Sequence, residues 1–148
     1  MRSNLPHNSM HVELITSEGS AFSGDAISVT LPSGSGEITV LPNHIPLLST
    51  VEPGTVIIRT GTEDLLFAVS RGVVDVEGLV IRILSDIADR AESLEEETIE
   101  LAKKRAEDLK SARRGDSEGF AEAQATLERE LARLTSIRRL RSHRRQRV

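Results

Sequence analysis

The chain has 148 residues, enough for one domain or two small ones, and a formal net charge of −4. Cysteine is absent, which excludes disulfide scaffolds, thiolate nucleophiles and cysteine-ligated zinc sites. Tryptophan and tyrosine are absent too, which argues against stacking platforms for single-stranded nucleic acid. No apolar run approaches the roughly 18 residues of a membrane span, so we expect no direct membrane insertion.

Composition divides the chain into three parts. Residues 1–9 are polar and lack the apolar core of a signal peptide, and we expect a disordered extension there. Residues 10–91 are predicted to form a β module, because 19 Ile and Val precede position 93 and only 3 follow it. Residues 92–148 are rich in Ala, Leu, Glu, Lys and Arg, which favour helices, and are predicted to form an α module.

Short alternating apolar runs recur through the β module between Gly-containing turns. In one of them, Ile27, Val29 and Leu31 share one face of a strand. Several short strands at this spacing predict a sandwich or barrel. The seven predicted strands are His11–Thr16, Asp25–Leu31, Glu37–Leu41, Thr55–Thr60, Asp64–Ser70, Gly72–Val76 and Leu79–Leu84.

Two amphipathic helices are predicted in the α module. The first is predicted to begin at a capping box of Ser93 and Glu96 and to end near Gly115. The short link between the helices predicts an antiparallel hairpin with arms of roughly 20–24 residues, or about 30–36 Å. The apolar stripes are thin, so the hairpin should rest on the β module or on a partner, and it can detach. The stripes are Ile99, Ala102, Ala106, Leu109 and Ala112, followed by Phe120, Leu127, Leu131 and Leu134.

Charge is distributed unevenly along the chain. Residues 1–92 carry 5 Lys/Arg and 12 Asp/Glu, whereas residues 93–148 carry 14 and 11. The segment 133–148 contains seven Arg and no acidic residue, and is called the Arg tail below. Three interpretations are open: a solvated helix end, a nucleic-acid contact without a base-reading element, or docking on an acidic protein surface.

No motif singles out an enzyme acting alone. The Gly-rich segment 32–37 lacks the Lys-Ser/Thr ending of a phosphate loop and is interpreted as a turn. Arg114-Gly115-Asp116 is explained by the turn between the helices. The four histidines show no ligand spacing, and we predict neither a metal site nor a catalytic residue nor a cofactor.

Four segments together resemble the epsilon subunit of bacterial F-type ATP synthases, in order over about residues 10–140. They are Phe22-Ser-Gly, Gly36-Glu-Ile-Thr-Val-Leu-Pro-Asn-His-Ile-Pro-Leu-Leu48, Pro53-Gly-Thr-Val and Phe67-Ala-Val-Ser-Arg-Gly-Val-Val-Asp-Val76. The Leu-Pro-Asn-His-x-Pro-Leu-Leu stretch is highly specific to that family. The resemblance implies an α+β fold, an N-terminal β-sandwich of about ten strands followed by a C-terminal antiparallel two-helix hairpin.

The resemblance also implies a function. Such a subunit lies in the central stalk of a proton- or sodium-translocating ATP synthase and links the gamma subunit to the membrane rotor ring. It is non-catalytic and peripheral, on the cytoplasmic face of the bacterial inner membrane. Glu37 and His44 match positions at the rotor-ring and gamma interface.

In this family the hairpin lies on the sandwich or extends into the catalytic alpha and beta subunits and inhibits ATP hydrolysis. The resemblance makes Arg133, Arg138 and Arg139 the expected contact with an acidic segment of a beta subunit. Some members bind ATP through an Ile/Leu-Asp-x-x-Arg-Ala signature, which is degenerate here. Its positions are Leu94, Glu95, Thr98 and Ile99, and we expect no tight ATP binding because the phosphate-binding Arg is missing.

A second hypothesis stays open beside the resemblance. The chain would be a free-standing adaptor whose basic tail binds an acidic protein partner or nucleic acid. Co-purification with alpha, beta and gamma subunits would separate the two hypotheses.

Overall fold

The computed structural model describes residues 8–147, and all structural statements refer to this range. Residues 1–7 of the predicted extension over residues 1–9 lie outside this range. A sandwich of ten strands is followed by a short 3-10 helix at Ala91–Ser93 and two α-helices, α1 (Glu96–Ala112) and α2 (Ser117–Gln146). The strands are β1 (Met10–Thr16), β2 (Gly19–Ala26), β3 (Ser28–Ser33), β4 (Gly36–Val40), β5 (His44–Val51), β6 (Gly54–Arg59), β7 (Asp64–Val69), β8 (Gly72–Gly78), β9 (Val80–Ser85) and β10 (Ala88–Arg90).

The strands form two layers that remain joined at one point. One layer has the order β10-β7-β6-β3, with β4 paired to β3, and the other has the order β5-β8-β9-β1-β2. The single register pair Ser33–Val51 connects β3 to β5. All pairs are antiparallel except β1 with β9, which is parallel. The expected sandwich of about ten strands followed by a two-helix hairpin is confirmed.

The main core lies between the two layers and is formed by strand residues alone. Alternate positions of each strand point into it, such as Val12 and Leu14 of β1 and Ile81 and Ile83 of β9. Phe22 packs edge-on against Phe67 from the opposite layer, with ring centroids 6.2 Å apart. The core therefore does not depend on the helices.

Strands β6 and β7 are buried on both faces. Val56, Ile58 and Phe67 point into the sandwich core, whereas Ile57 and Leu66 form a second cluster against which Leu140 of α2 packs. Two-sided burial explains why these strands read as continuous apolar runs instead of alternating ones. Helix α2 thus lies across the outer face of β6 and β7.

The helical hairpin differs from its predicted form in two respects. Its arms are unequal, since α1 has 17 residues and α2 has 30, so the expectation of 20–24 residues in each arm is wrong. The predicted capping box is also wrong. Ser93 is the last residue of the 3-10 helix, and Glu95 is the N-cap of α1. The extra turns of α2 are those of the Arg tail, which continues as helix along the sandwich.

The predicted apolar stripes are only partly the buried ones. Ile99, Ala106 and Leu134 are buried, together with Ile137, which the stripe did not include. Leu109 and Leu131 are exposed despite their helical spacing. The helices bury small residues and one aliphatic cluster of Ile99, Leu134 and Ile137, and Leu94 packs against that cluster. The apolar part of the contact between α1 and α2 is therefore small, as the thin stripes indicated.

Candidate functional site: the contact between helix α2 and the sandwich

Residues predicted to meet two different partners contact each other in this structure. Arg139 of α2 donates two hydrogen bonds to the Glu37 carboxylate of β4, with N–O distances of 2.7 and 3.0 Å. Glu37 was expected at the rotor-ring interface and Arg139 at a beta subunit. The forked geometry fits a guanidinium and a carboxylate, and an exposed pair of this kind contributes about 0.2–1 kcal/mol.

The pairing perturbs both groups. The hydrogen bond from Arg139, aided by its positive charge, holds the pKa of Glu37 below its ordinary value despite partial burial. The same bond raises the pKa of Arg139. Because the pKa of Glu37 is lowered in the docked form, this contact stabilises docking at pH values above the ordinary Glu pKa. The stabilisation is lost as the pH falls through the lowered pKa.

Asp64 of β7 organises a second cluster at the end of α2. Its side chain is 9% exposed and accepts from His143 Nε2 at 2.5 Å. Arg147, the C-cap residue of α2, and Arg59 of β6 lie 3.4 and 3.5 Å from the same carboxylate oxygen. One largely buried carboxylate therefore holds three basic side chains, two of which belong to the Arg tail.

Arg133 joins the middle of α2 to the sandwich. Its Nε donates to Asp89 of β10 at 2.8 Å, and its Nη1 donates to Glu130 of α2 at 2.5 Å. Burial lowers the pKa of Arg133, but the two carboxylates together outweigh it and raise that pKa above its ordinary value. In the docked form the Arg133 guanidinium therefore binds two carboxylates of its own chain.

The remaining tail contacts are more exposed. Arg144 donates to Glu92 at 3.0 Å, and Arg138 and Arg141 lie 3.6 and 2.7 Å from the α1 residues Glu100 and Glu96. Arg138 is thus the most available of the three arginines expected to make an inhibitory contact, with a side chain that is 66% exposed. Of those three, the structure brings Arg133 and Arg139 to sandwich acids and Arg138 to the other helix.

A buried hydroxyl pair completes the contact. Thr55 of β6 and Ser136 of α2 lie 2.7 Å apart, and Ser136 also donates to the Ala132 carbonyl. Both side chains are buried. The two hydroxyls hydrogen-bond to each other here, and each can bind water instead when α2 leaves the sandwich. Separating the pair therefore costs little free energy.

The turn before β5 and the first half of β5 present apolar side chains to solvent. His44 Nδ1 donates to the Ile45 carbonyl at 2.7 Å, which orients its ring locally. Ile45 and Leu48 are 76% and 77% exposed, and Leu41 is also exposed. Asn43 adopts φ of 62°, a left-handed conformation that Asn tolerates better than most residues. Exposed apolar side chains grouped within residues 41–48 indicate a binding surface.

A Ser–His–Asp arrangement lies on the outer face of β1 and β2. His11 Nδ1 is 3.3 Å from Asp25 and its Nε2 is 3.5 Å from Ser23 Oγ. Strand register could have revealed it, since His11 faces Asp25 and Glu13 faces Ser23. Glu13 lies 3.7 Å from the same Nε2, and the His11 side chain is 42% exposed. An activated serine needs a short, unshared contact with its base, so we interpret this group as a surface polar cluster.

A cavity of about 340 Å³ lies between the 3-10 helix, α1 and α2, where the degenerate ATP signature falls. Its lining includes three carboxylates and one guanidinium: Asp89, Glu95, Glu130 and Arg133. Ile99 belongs to the apolar cluster between the helices, and Thr98 bonds Glu95. The cavity thus has the wrong charge for a phosphate chain, because its guanidinium is already shared by two carboxylates.

We expect calorimetry of the full chain with ATP to show no binding in the micromolar range. Three carboxylates repel phosphate, and Arg133 would have to leave Asp89 and Glu130 to bind it. Arg133→Ala serves as the control, because it removes the cavity's guanidinium. A micromolar dissociation constant that is lost in Arg133→Ala would contradict the expectation.

Two further properties bear on function. Within residues 8–147, neither α1 nor α2 is long and apolar enough to cross a membrane. Over the same range, His, Asp and Glu side chains form no cluster of three suited to a metal ion.

Comparison with known proteins covers nearly the whole chain. Residues 9–91 match the family model described as ATP synthase, Delta/Epsilon chain, beta-sandwich domain. The ATP synthase epsilon chain of Hydrogenovibrio crunogenus is 39% identical over 133 residues, which are 90% of this chain and 92% of that protein. ATP synthase epsilon chain 1 of Methylococcus capsulatus is 38% identical over 91% of this chain and 96% of its own length.

A solved structure shares the fold. A chain of the Euglena gracilis mitochondrial ATP synthase, in a structure of its OSCP/F1/c-ring part, superposes with a TM-score of 0.70. The match covers 86% of this chain and 80% of that chain at 18% identity, so it speaks to the fold alone. The sequence matches carry the assignment, since they span both the sandwich and the hairpin: the chain belongs to the family of ATP synthase epsilon chains.

Proposed function

We propose that this chain is a non-catalytic central-stalk subunit of a proton- or sodium-translocating F-type ATP synthase. Its sandwich links the gamma subunit to the membrane rotor ring, and its C-terminal helices restrain ATP hydrolysis. The chain is peripheral on the cytoplasmic face of the bacterial inner membrane, where the ring holds it. The observation that carries the proposal is family membership over both modules.

The sandwich offers free surface for such partners. Helix α2 covers β6 and β7, whereas the outer face of β1, β8 and β9 is open. Leu84 of β9 pairs in register with Val73 of β8 and with Ile15 of β1, which gives a short apolar row on that face. This row supports a gamma contact, and the exposed apolar side chains of residues 41–48 support a contact with gamma and the ring. Glu37 is proposed to face the ring when Arg139 has left it.

The experiment that tests this function is co-purification. Expressed with alpha, beta and gamma subunits, the tagged chain should recover all three in a stable complex. When the ring subunits are expressed as well, Leu48→Glu in β5 should weaken recovery of the ring, because it places a charge in an apolar contact. The matched control is Glu18→Gln, in the exposed turn between β1 and β2. Recovery of none of these subunits would favour the free-standing adaptor instead.

Replacing Arg133, Arg138 and Arg139 by Ala should relieve inhibition of ATP hydrolysis in the assembled complex. The three guanidinium groups are proposed to meet an acidic segment of a beta subunit, and Ala removes both charge and hydrogen bonds. The measurement is the ATP hydrolysis rate at several salt concentrations. The charge-matched control replaces Lys104, Arg105 and Arg114, exposed residues of α1 and the turn that follows it.

Inhibition by the unmodified chain should weaken as ionic strength rises, because salt screens exposed charges. Inhibition that is independent of salt, or equal in the two triple variants, would contradict a contact made by these arginines.

A further inference from the structure

The tight turn between β4 and β5 holds a non-glycine residue in the left-handed region. Asn43 has φ of 62°, and within residues 8–147 every other residue with positive φ is a glycine. Pro42 precedes it, and the His44 N–H donates to the Leu41 carbonyl at 3.1 Å. These are the features of a type II turn, in which Pro fits the second position and the third requires positive φ. The turn therefore depends on the backbone conformation that Asn43 adopts.

A β-bulge follows the turn directly. Between His44 and Leu47, β5 advances by three residues while its partner β8 advances by two. In an unbroken strand Ile45 would share a face with Leu47, which packs against the sandwich core. The bulge ends that alternation, and Ile45 is 76% exposed instead. Turn and bulge together keep a large apolar side chain out of the core.

The backbone that follows the turn has little freedom to rearrange. Pro46 fixes its own φ and confines Ile45 before it to extended backbone. The His44 ring donates from Nδ1 to the Ile45 carbonyl at 2.7 Å. The Asn43 side chain is exposed to solvent. What Asn43 contributes is therefore its backbone, since Asn tolerates the left-handed region better than most residues other than Gly.

The surface beside this turn is apolar and uncharged. Leu41, Ile45 and Leu48 are 56%, 76% and 77% exposed, and residues 41–48 include no Lys, Arg, Asp or Glu. Such a surface suits a partner whose contact area is also uncharged, because an unpaired charge in an apolar contact is costly. Ordering a flexible segment on binding costs conformational entropy, and a segment that is already fixed avoids that cost.

We propose that Asn43 is a positioning residue for the rotor-ring contact. Its left-handed backbone closes the turn, the bulge follows from the turn, and both hold the apolar side chains of residues 41–48 exposed before the ring binds. The identity of the partner as the ring rests on the proposed function. The role of Asn43 in the turn rests only on the geometry of this chain.

Substitutions at position 43 should rank by their tolerance of positive φ. Asn43→Gly should keep ring recovery at the unmodified level, and Asn43→Ala should lower it. Asn43→Val should lower it severalfold further, because β-branched side chains are the least compatible with this backbone. A role for the Asn43 side chain would give a different order, since Gly and Ala both lack its amide. The measurement is ring recovery by the tagged full chain, expressed with alpha, beta, gamma and ring subunits.

Gly19→Val is the matched control. Gly19 also has a positive φ, 127°, and a Cβ atom there meets nothing within 4 Å. It begins β2 at the end of the sandwich opposite to His44. The same side chain therefore strains a turn far from the apolar surface, and ring recovery should not change.

A second measurement on the full chain alone reports the turn itself. Amide hydrogen exchange at His44, whose N–H closes the turn, should speed up in Asn43→Val and stay at the unmodified rate in Asn43→Gly. Circular dichroism confirms that each variant is folded, and Asn43→Ala, which strains the turn less, replaces Asn43→Val should that variant not fold. Unchanged exchange in the folded variant would overturn the positioning role.

The two measurements separate this proposal from the proposed function. If the unmodified chain recovers the ring and Asn43→Val recovers it equally despite faster exchange, the proposed function stands and the positioning role is wrong. If the unmodified chain recovers no ring, the ring contact of the proposed function is wrong and the positioning role falls with it, whereas exchange at His44 still shows that Asn43 holds the turn.

Discussion

A complex whose copy of this chain ends at residue 92 should assemble normally and hydrolyse ATP severalfold faster than the complex with the full chain. The truncation removes α1, α2 and the Arg tail but leaves every strand. The main core is formed by residues between Met10 and Ile83, so the sandwich keeps its packing. The measurements are subunit recovery and the steady-state rate of ATP hydrolysis.

The truncation uncovers only a small surface. Ile57, Leu66 and Ala91 lose the cover of Leu140, and Thr55 loses Ser136, which water can replace. A chain ending at residue 116 is the matched control, because it keeps α1 and lacks only α2. It should release hydrolysis to the same extent if the tail is the inhibitory element. Hydrolysis at the unmodified rate after both truncations, with normal assembly, would show that the hairpin has no inhibitory role.

Gly72→Ala should destabilise the sandwich by about 3 kcal/mol or more, or prevent folding. Gly72 begins β8 and pairs with Val51 on one side and Ser85 on the other. A Cβ atom there would lie 1.8 Å from the Leu84 carbonyl oxygen. Because that oxygen belongs to the backbone, no side-chain rotation can relieve the clash. The backbone of β9 would have to move, which disturbs ladder bonds in the centre of a layer. The measurement is chemical denaturation followed by circular dichroism.

Gly115→Ala is the control for this substitution. Gly115 lies in the turn between α1 and α2, and a Cβ there meets nothing within 4 Å. Its effect on the free energy of unfolding should stay within about 0.5 kcal/mol. Equal denaturation midpoints for the two variants would show that the β9 backbone can shift at this point without loss of stability.

Three strands were not predicted from the sequence: β2, β5 and β10. β10 has only three residues, and β2 and β5 lack alternating apolar residues. β2 is Gly19–Ala26, and only Phe22 among its larger side chains packs against the core. Its extended form comes from pairing along the whole of β1 through a tight turn. β5 contains Pro46 and exposes Ile45 and Leu48, so it reads as a loop. In both cases a neighbouring strand supplies the hydrogen bonds, which a local pattern cannot reveal.

The sequence carries a further signal for the docking site of α2. Residues 56–58 and 65–69 are continuous apolar runs, which are typical of strands covered on both faces. They mark β6 and β7 as the pair that a helix covers. The same runs do not reveal which helix covers these strands or which face of that helix contacts them. The buried face of α2 carries small residues such as Ala132 and Ser136, which form no apolar stripe in the sequence.

The sequence by itself determined the order of a β module and an α module, the family, and the concentration of positive charge in an acid-free tail. Local composition and periodicity encode these properties, so no tertiary contact is needed to see them. Only the tertiary structure decided which residues that charged tail contacts. The acids that hold the tail lie at positions 37, 64, 89 and 92, up to 102 residues from their partners. No sequence spacing joins them, because the packing of α2 on the outer face of β6 and β7 alone brings those carboxylates and arginines together.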